Sequence, residues 1–85
     1  MQKFNLKLLQ NKEVAVNCKT KEEAAIFIKW ANSLKTREKD LKHDFHIYKS
    51  ETCYKITEFL GCGFNDILDY QRIGWKILSF NEAKI

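Results

Sequence analysis

Thr20-Lys21-Glu22-Glu23-Ala24-Ala25-Ile26-Phe27-Ile28-Lys29-Trp30-Ala31-Asn32-Ser33-Leu34 is the stretch that decides the fold class. Thr20 and Glu23 have the spacing of a capping box. In that motif the hydroxyl accepts from the backbone N–H three residues on, and the glutamate reaches back to the cap's own N–H. Ala24, Phe27, Ile28, Ala31 and Leu34 then recur at the period of an amphipathic helix. The spacing predicts a helix from Lys21 to about Leu34. Ile26 and Trp30 are four apart and lie beside this stripe, widening the apolar face beyond what one sheet surface needs.

Upstream, Phe4, Leu6 and Leu8 alternate with polar residues, and Val14, Val16 and Cys18 alternate again, the period of half-buried strands. Leu9 breaks the first alternation. The expectation is a hairpin of these two segments, with a short helix or irregular arm before Val14 as the alternative. Downstream, Phe45 to Lys49 and Thr52 to Ile56 are rich in aromatic and β-branched residues and read as two strands joined at Ser50-Glu51. Phe59 to Phe64 contains Gly61-Cys62-Gly63 and reads as a loop or a bulged edge strand. Asn65 is placed to cap a short helix, Asp66 to Ile73, with Asp66 and Asp69 toward its positive end and Arg72 toward its negative end. Gly74 fits the left-handed residue that ends helices. Trp75 to Phe80 reads as a final strand with two apolar faces, Trp75 and Ile77 on one, Leu78 and Phe80 on the other. Such a strand is covered on both sides, here by the short helix or by another subunit. The whole reads as a single α+β domain over residues 1–85. It has a mostly antiparallel four- to five-stranded sheet, one long capped helix and one short helix.

Composition agrees with a folded domain: of 85 residues, 45% are hydrophobic, 31% charged and 13% aromatic. This length holds one small core and leaves no room for a cofactor domain beside a substrate domain. The net charge of +4 argues against an acidic DNA mimic, and its dispersal among apolar residues is weak support for nucleic-acid binding. No apolar h-region follows Met1 and no apolar run is long enough to span a membrane. The three cysteines are odd in number and lack CxxC spacing, so the expectation is a cytoplasmic chain with reduced thiols.

Few residues suggest chemistry. His43, His46, Cys53 and Cys62 include two histidines at close spacing, but the two cysteines are far apart for a structural zinc site. Nothing local marks an activated thiol or names a third orienting group for a Cys–His pair. Asp66 and Asp69 are explained by the start of a helix. No P-loop, dinucleotide fingerprint or serine elbow is present. The expectation is therefore a protein that is not an enzyme, with no catalytic residues, no metal and no cofactor. Rings and cations interleave in Lys42-His43-Asp44-Phe45-His46-Ile47-Tyr48-Lys49, and strand alternation places His46 and Tyr48 on one face. Such a face can stack a base and neutralise a phosphate. The preceding segment, Lys35 to Asp44, has one large apolar residue, Leu41. Arg37, Lys39, Lys42 and His43, with His46 and Tyr48 beside them, are the expected contact surface for an acidic partner. The guanidinium fork of Arg37 is suited to phosphate or carboxylate. The competing reading is a solvated loop and a sheet whose rings fill the core. Ile26, Trp30, Trp75 and Ile77 are the expected interface residues, and a homodimer is expected from that apolar excess.

One resemblance adds context. Glu13-Val14-Ala15-Val16-Asn17-Cys18 is followed by Thr20-Lys21-Glu22-Glu23 and a helix ending Ile28-Lys29-Trp30. Further on come Thr52-Cys53-Tyr54-Lys55-Ile56 and Tyr70-Gln71-Arg72-Ile73-Gly74-Trp75-Lys76-Ile77-Leu78-Ser79-Phe80. This order of features resembles small phage proteins of low-GC Gram-positive hosts, some similar to anti-CRISPR proteins. The resemblance implies a phage anti-defence protein in the host cytoplasm that binds and inhibits a host defence protein or ribonucleoprotein complex. The alternative it implies is a small binding protein that sequesters a nucleotide immune signal. A nucleic-acid-binding regulator is the third reading.

Overall fold

In the computed structural model, which describes residues 3–10, 12–34, 45–56 and 62–85, the elements follow in a simple order. They are α1 (Leu6–Leu9), β1 (Val14–Asn17), α2 (Lys21–Ser33), α3 (Phe45–Tyr48), β2 (Thr52–Ile56), β3 (Cys62–Asp66), α4 (Ile67–Arg72), β4 (Lys76–Ser79) and α5 (Phe80–Ala83). A 3-10 turn, Lys49–Glu51, leads from α3 into β2. The four strands form one sheet in the order β3-β2-β1-β4. β2 pairs antiparallel with both β1 and β3, while β4 lies parallel to β1. The fold is α+β with a mixed sheet, so the expectation of a mostly antiparallel sheet holds only for the β1–β2 and β2–β3 pairs.

α2 packs its apolar stripe on one sheet face. Phe27 stacks on Tyr54 with centroids 5.5 Å apart, and Phe4 meets Phe27, Trp30 and Phe80 at 5.0, 5.1 and 5.3 Å. Val16, Tyr54 and Leu78, from three neighbouring strands, complete this core. Rings in these offset and edge-on geometries add to the hydrophobic gain of their burial. The opposite face carries a smaller cluster of Ala15, Cys53 and Tyr70, with Ile67, Trp75 and Ile77 packed against it. α4 is therefore the cover that the two-faced strand required. The chain's two end segments also meet: Phe4 bridges Lys84, and the Asn5 N–H donates to the Ala83 carbonyl at 2.9 Å.

Several local expectations need correction. Phe4 to Leu8 is not a strand. Leu6 and Leu9, three apart, turn together toward the core on the single helical turn α1, and the Asn5 side chain caps it by accepting from the Leu8 N–H. The helical alternative for this segment is the one observed. Phe45 to Lys49 is not a strand either. On α3, Phe45 and Tyr48 are part-buried while His46 and Ile47 are exposed, so helical spacing replaces the alternation that joined His46 to Tyr48. Lys49 then takes a left-handed conformation, φ 52°, and turns the chain into β2. The cap of α4 is Asp66, not Asn65: its carboxylate accepts from the Leu68 N–H at 2.8 Å. The last strand ends at Ser79, whose side chain and backbone form a complete capping box with Glu82 and start α5. Those hydrogen bonds hold the Glu82 carboxyl below its usual range. In the Thr20 box, by contrast, the hydroxyl accepts from the Glu23 N–H at 3.1 Å, but the Glu23 carboxylate accepts from Lys19, one residue earlier than expected.

Candidate functional site

The sheet face under α4 is not fully covered. A concave groove of about 570 Å³ remains between β2, β3 and the end of α4, a size that suits a small organic ligand. The sheet register builds its floor. Lys55 pairs with Gly63 and Cys53 with Asn65, so these four residues share the face toward α4. Gly63 leaves space that the Lys55 stem occupies: a Cβ there would stand 3.1 Å from Lys55 Cε.

The end of α4 builds the wall. Gly74 adopts φ +80°, its N–H donates to the Gln71 carbonyl at 3.1 Å, and the Trp75 N–H donates to the Tyr70 carbonyl at 3.0 Å. These are the two hydrogen bonds of a Schellman motif, which is commonly closed by an apolar contact between the same two residues. Here that contact is a ring stack, Tyr70 on Trp75, with centroids 5.2 Å apart and planes 23° from parallel. Tyr70 is buried, while Trp75 is half-buried and lines the groove. The Lys55 ammonium sits 5.1 Å from the Trp75 ring centroid, within cation–π range. Arg72 lines the same groove and stands 3.8 Å from Asp69, an exposed pair that leaves the guanidinium available to a ligand. The groove thus joins an aromatic wall, two cations, one carboxylate and the Asn65 amide.

A smaller cavity of about 140 Å³ lies beside Asn17, Lys19, Glu23 and Ser79. The Asn17 amide already donates to the Ser50 and Thr52 carbonyls, and the Glu23 carboxylate accepts from the Lys19 N–H. Its polar groups serve the fold. Among the described residues, no three His, Cys, Asp or Glu side chains form a group that could hold a metal ion. Cys53 is fully buried, and burial pushes its thiol up to about 12, with smaller upward contributions from Asp66 and Glu51 opposed by a hydrogen bond with Asn17. That thiol is not an activated nucleophile.

The expected contact residues do not converge on this groove. Arg37, Lys39, Lys42 and His43 lie outside the described residues. His46 is exposed on α3. Tyr48 meets Phe64 at 5.8 Å, and Phe64, though it also borders the groove, packs against the larger core on the α2 side, so Tyr48 itself is not a groove residue. Of the expected interface residues, Ile26 is 40% exposed on α2, whereas Trp30 is 4% exposed and belongs to the core. Ile77 packs under α4, and Trp75 is a groove residue. Sequence reading missed Lys55 and Arg72 as partners of Trp75, although the Gly74-Trp75 step after a short helix carries the signal for the turn that gathers them. No helix among the described residues is long and apolar enough to cross a membrane. Compared with known proteins, the chain matches no family model, no curated protein and no solved structure.

Proposed function

We propose that this chain is a non-enzymatic binding protein that captures a phosphate-bearing aromatic ligand of the nucleotide class. The observation that supports it most is the meeting of Trp75, Lys55 and Arg72 in one groove of about 570 Å³. A base finds an aromatic surface, a phosphate finds a guanidinium and an ammonium, and the Asn65 side-chain NH2 offers a donor for a base edge, its oxygen already accepting from the Asp66 N–H at 2.8 Å. In the phage setting that the sequence resembles, such a protein removes a nucleotide immune signal from the host cytoplasm. The test is thermal unfolding with a panel of mononucleotides and cyclic dinucleotides. A ligand at a hundred times its Kd stabilises the fold by about 2.7 kcal/mol, which raises Tm by roughly 15 °C in a domain of this size. No shift with any member of the panel overturns the proposal.

A second reading has its own support. Leu68 and Ile73 are 56% and 62% exposed at the two ends of α4, and Ile73 also lines the groove. Exposed apolar side chains beside cations suit a protein partner, as an anti-CRISPR-like inhibitor of a host defence complex requires. Under this reading a Leu68→Asp, Ile73→Asp double variant loses inhibition of the complex while the nucleotide panel has no effect on Tm.

A further inference from the structure

Resting on the reading of the groove as a nucleotide site, we infer that Lys55 and Trp75 form a paired selector that admits ligands carrying both a ring and an anion and discriminates against either part alone. Three observations carry it. The Lys55 ammonium lies over the Trp75 ring, 5.1 Å from its centroid, so the cation covers ring surface that a base would use. Tyr70 stacks on the same indole and is buried, which fixes the ring in place. Gly63, opposite Lys55 on the neighbouring strand, leaves the space through which the lysine stem reaches Trp75, since a Cβ there would stand 3.1 Å from Cε and 3.4 Å from Cγ.

The selectivity follows from what each ligand does to the pair. An uncharged base that stacks on Trp75 displaces the ammonium and offers it no compensating acceptor. A free phosphate draws the ammonium away from the ring and leaves the indole surface to water. A nucleotide gives the displaced ammonium a charge-assisted hydrogen bond to phosphate and covers the ring it left. Lys55 is then the residue that couples the two halves of recognition, and Gly63 is the position that sets its reach.

The experiment uses the full chain with Trp30→Phe, which leaves Trp75 as the single indole. Its fluorescence is titrated with AMP, adenosine and inorganic phosphate, in this background and with Lys55→Gln added. The expected result is AMP binding at least tenfold tighter than adenosine or phosphate, with the AMP-over-adenosine preference lost in Lys55→Gln. A ligand-free arm reads the pair directly by NMR. The Lys55 ε-methylene protons are expected upfield under the indole ring current, and they return to ordinary positions in Trp75→Leu and in Gly63→Ala. If AMP and adenosine bind equally, or Lys55→Gln keeps the preference, the selector is overturned while the groove stands as a nucleotide site. If none of the three ligands changes Trp75 fluorescence, the selector is overturned, and the thermal panel of mononucleotides and cyclic dinucleotides decides separately whether the groove stands as a nucleotide site. Ordinary ε-methylene shifts in the free protein overturn the Lys55–Trp75 pairing itself, whatever binds.

Discussion

A methyl group at position 74 would meet no atom within 4 Å, yet the backbone there has φ +80°, a conformation that costs an alanine roughly 1–2 kcal/mol. Gly74→Ala is therefore expected to lower unfolding stability by about that amount in a urea titration. The glycine also holds Trp75 against Tyr70, so the variant should loosen the groove wall and weaken AMP binding by more than its stability loss alone would do. Cys53 gives a second prediction. Its folded thiol is held up to about 12 against an ordinary value of 9.0, chiefly by burial. Below pH 9 neither state ionises this thiol and the stability contribution is complete. Between pH 9 and 12 the unfolded chain releases the proton and the folded chain keeps it, so stability falls as pH rises, by about 1.4 kcal/mol per pH unit. Unfolding free energies of the wild type and Cys53→Ala, measured across this range, should run parallel below pH 9 and change relative to one another above it. Curves that stay parallel to pH 12 contradict the assignment.

At the scale of elements, α2 shows what a sequence pattern can specify. The Thr20 hydroxyl bond to the Glu23 N–H starts the helix, and Phe27 and Ala31 lie buried on its inner stripe. Thr20→Ala should cost about 1 kcal/mol, and an unchanged urea midpoint would contradict it. β1, β2 and the short helix before Gly74 were legible for similar reasons. α1 and α3 were not, because four residues satisfy two periods at once. Leu6 and Leu8 alternate, but Leu6 and Leu9 are the pair that faces the core. His46 and Tyr48 alternate, but Phe45 and Tyr48 are the part-buried pair. In such short windows tertiary packing chooses the period. α5 did have a local signal, Ser79-Phe80-Asn81-Glu82, but it lay inside an apolar run that reads as strand. The groove was less legible than the fold. Its parts are separated along the chain, and only the Lys55–Gly63 register and the folding of α4 over the sheet bring them together.

For the whole molecule, most of the apolar excess that suggested a homodimer is absorbed within one chain, with Ile26 left exposed. Trp30, Leu78 and Phe80 are buried in the larger core, and Trp75 and Ile77 pack with Tyr70 in the smaller one. Light scattering at micromolar concentration is accordingly expected to return 10.1 kDa. A 20 kDa species, about twice that mass, would direct attention to Leu68 and Ile73. The parallel pairing of β1 with β4 bears on how the molecule comes into being. Val14 meets Lys76 across about ten times the chain separation of the Ile56–Cys62 pair. Loop-closure entropy makes the long connection about 2 kcal/mol costlier to close than the short one. The β2–β3 ribbon is therefore the natural early product of folding, and β4 docks late. Until it does, the side of β1 that will hold β4 has unpaired backbone groups, and Leu78 and Phe80 are missing from the aromatic core. On a ribosome this interval lasts until β4 has emerged, so the nascent chain's aggregation-prone edge is the one that β4 closes.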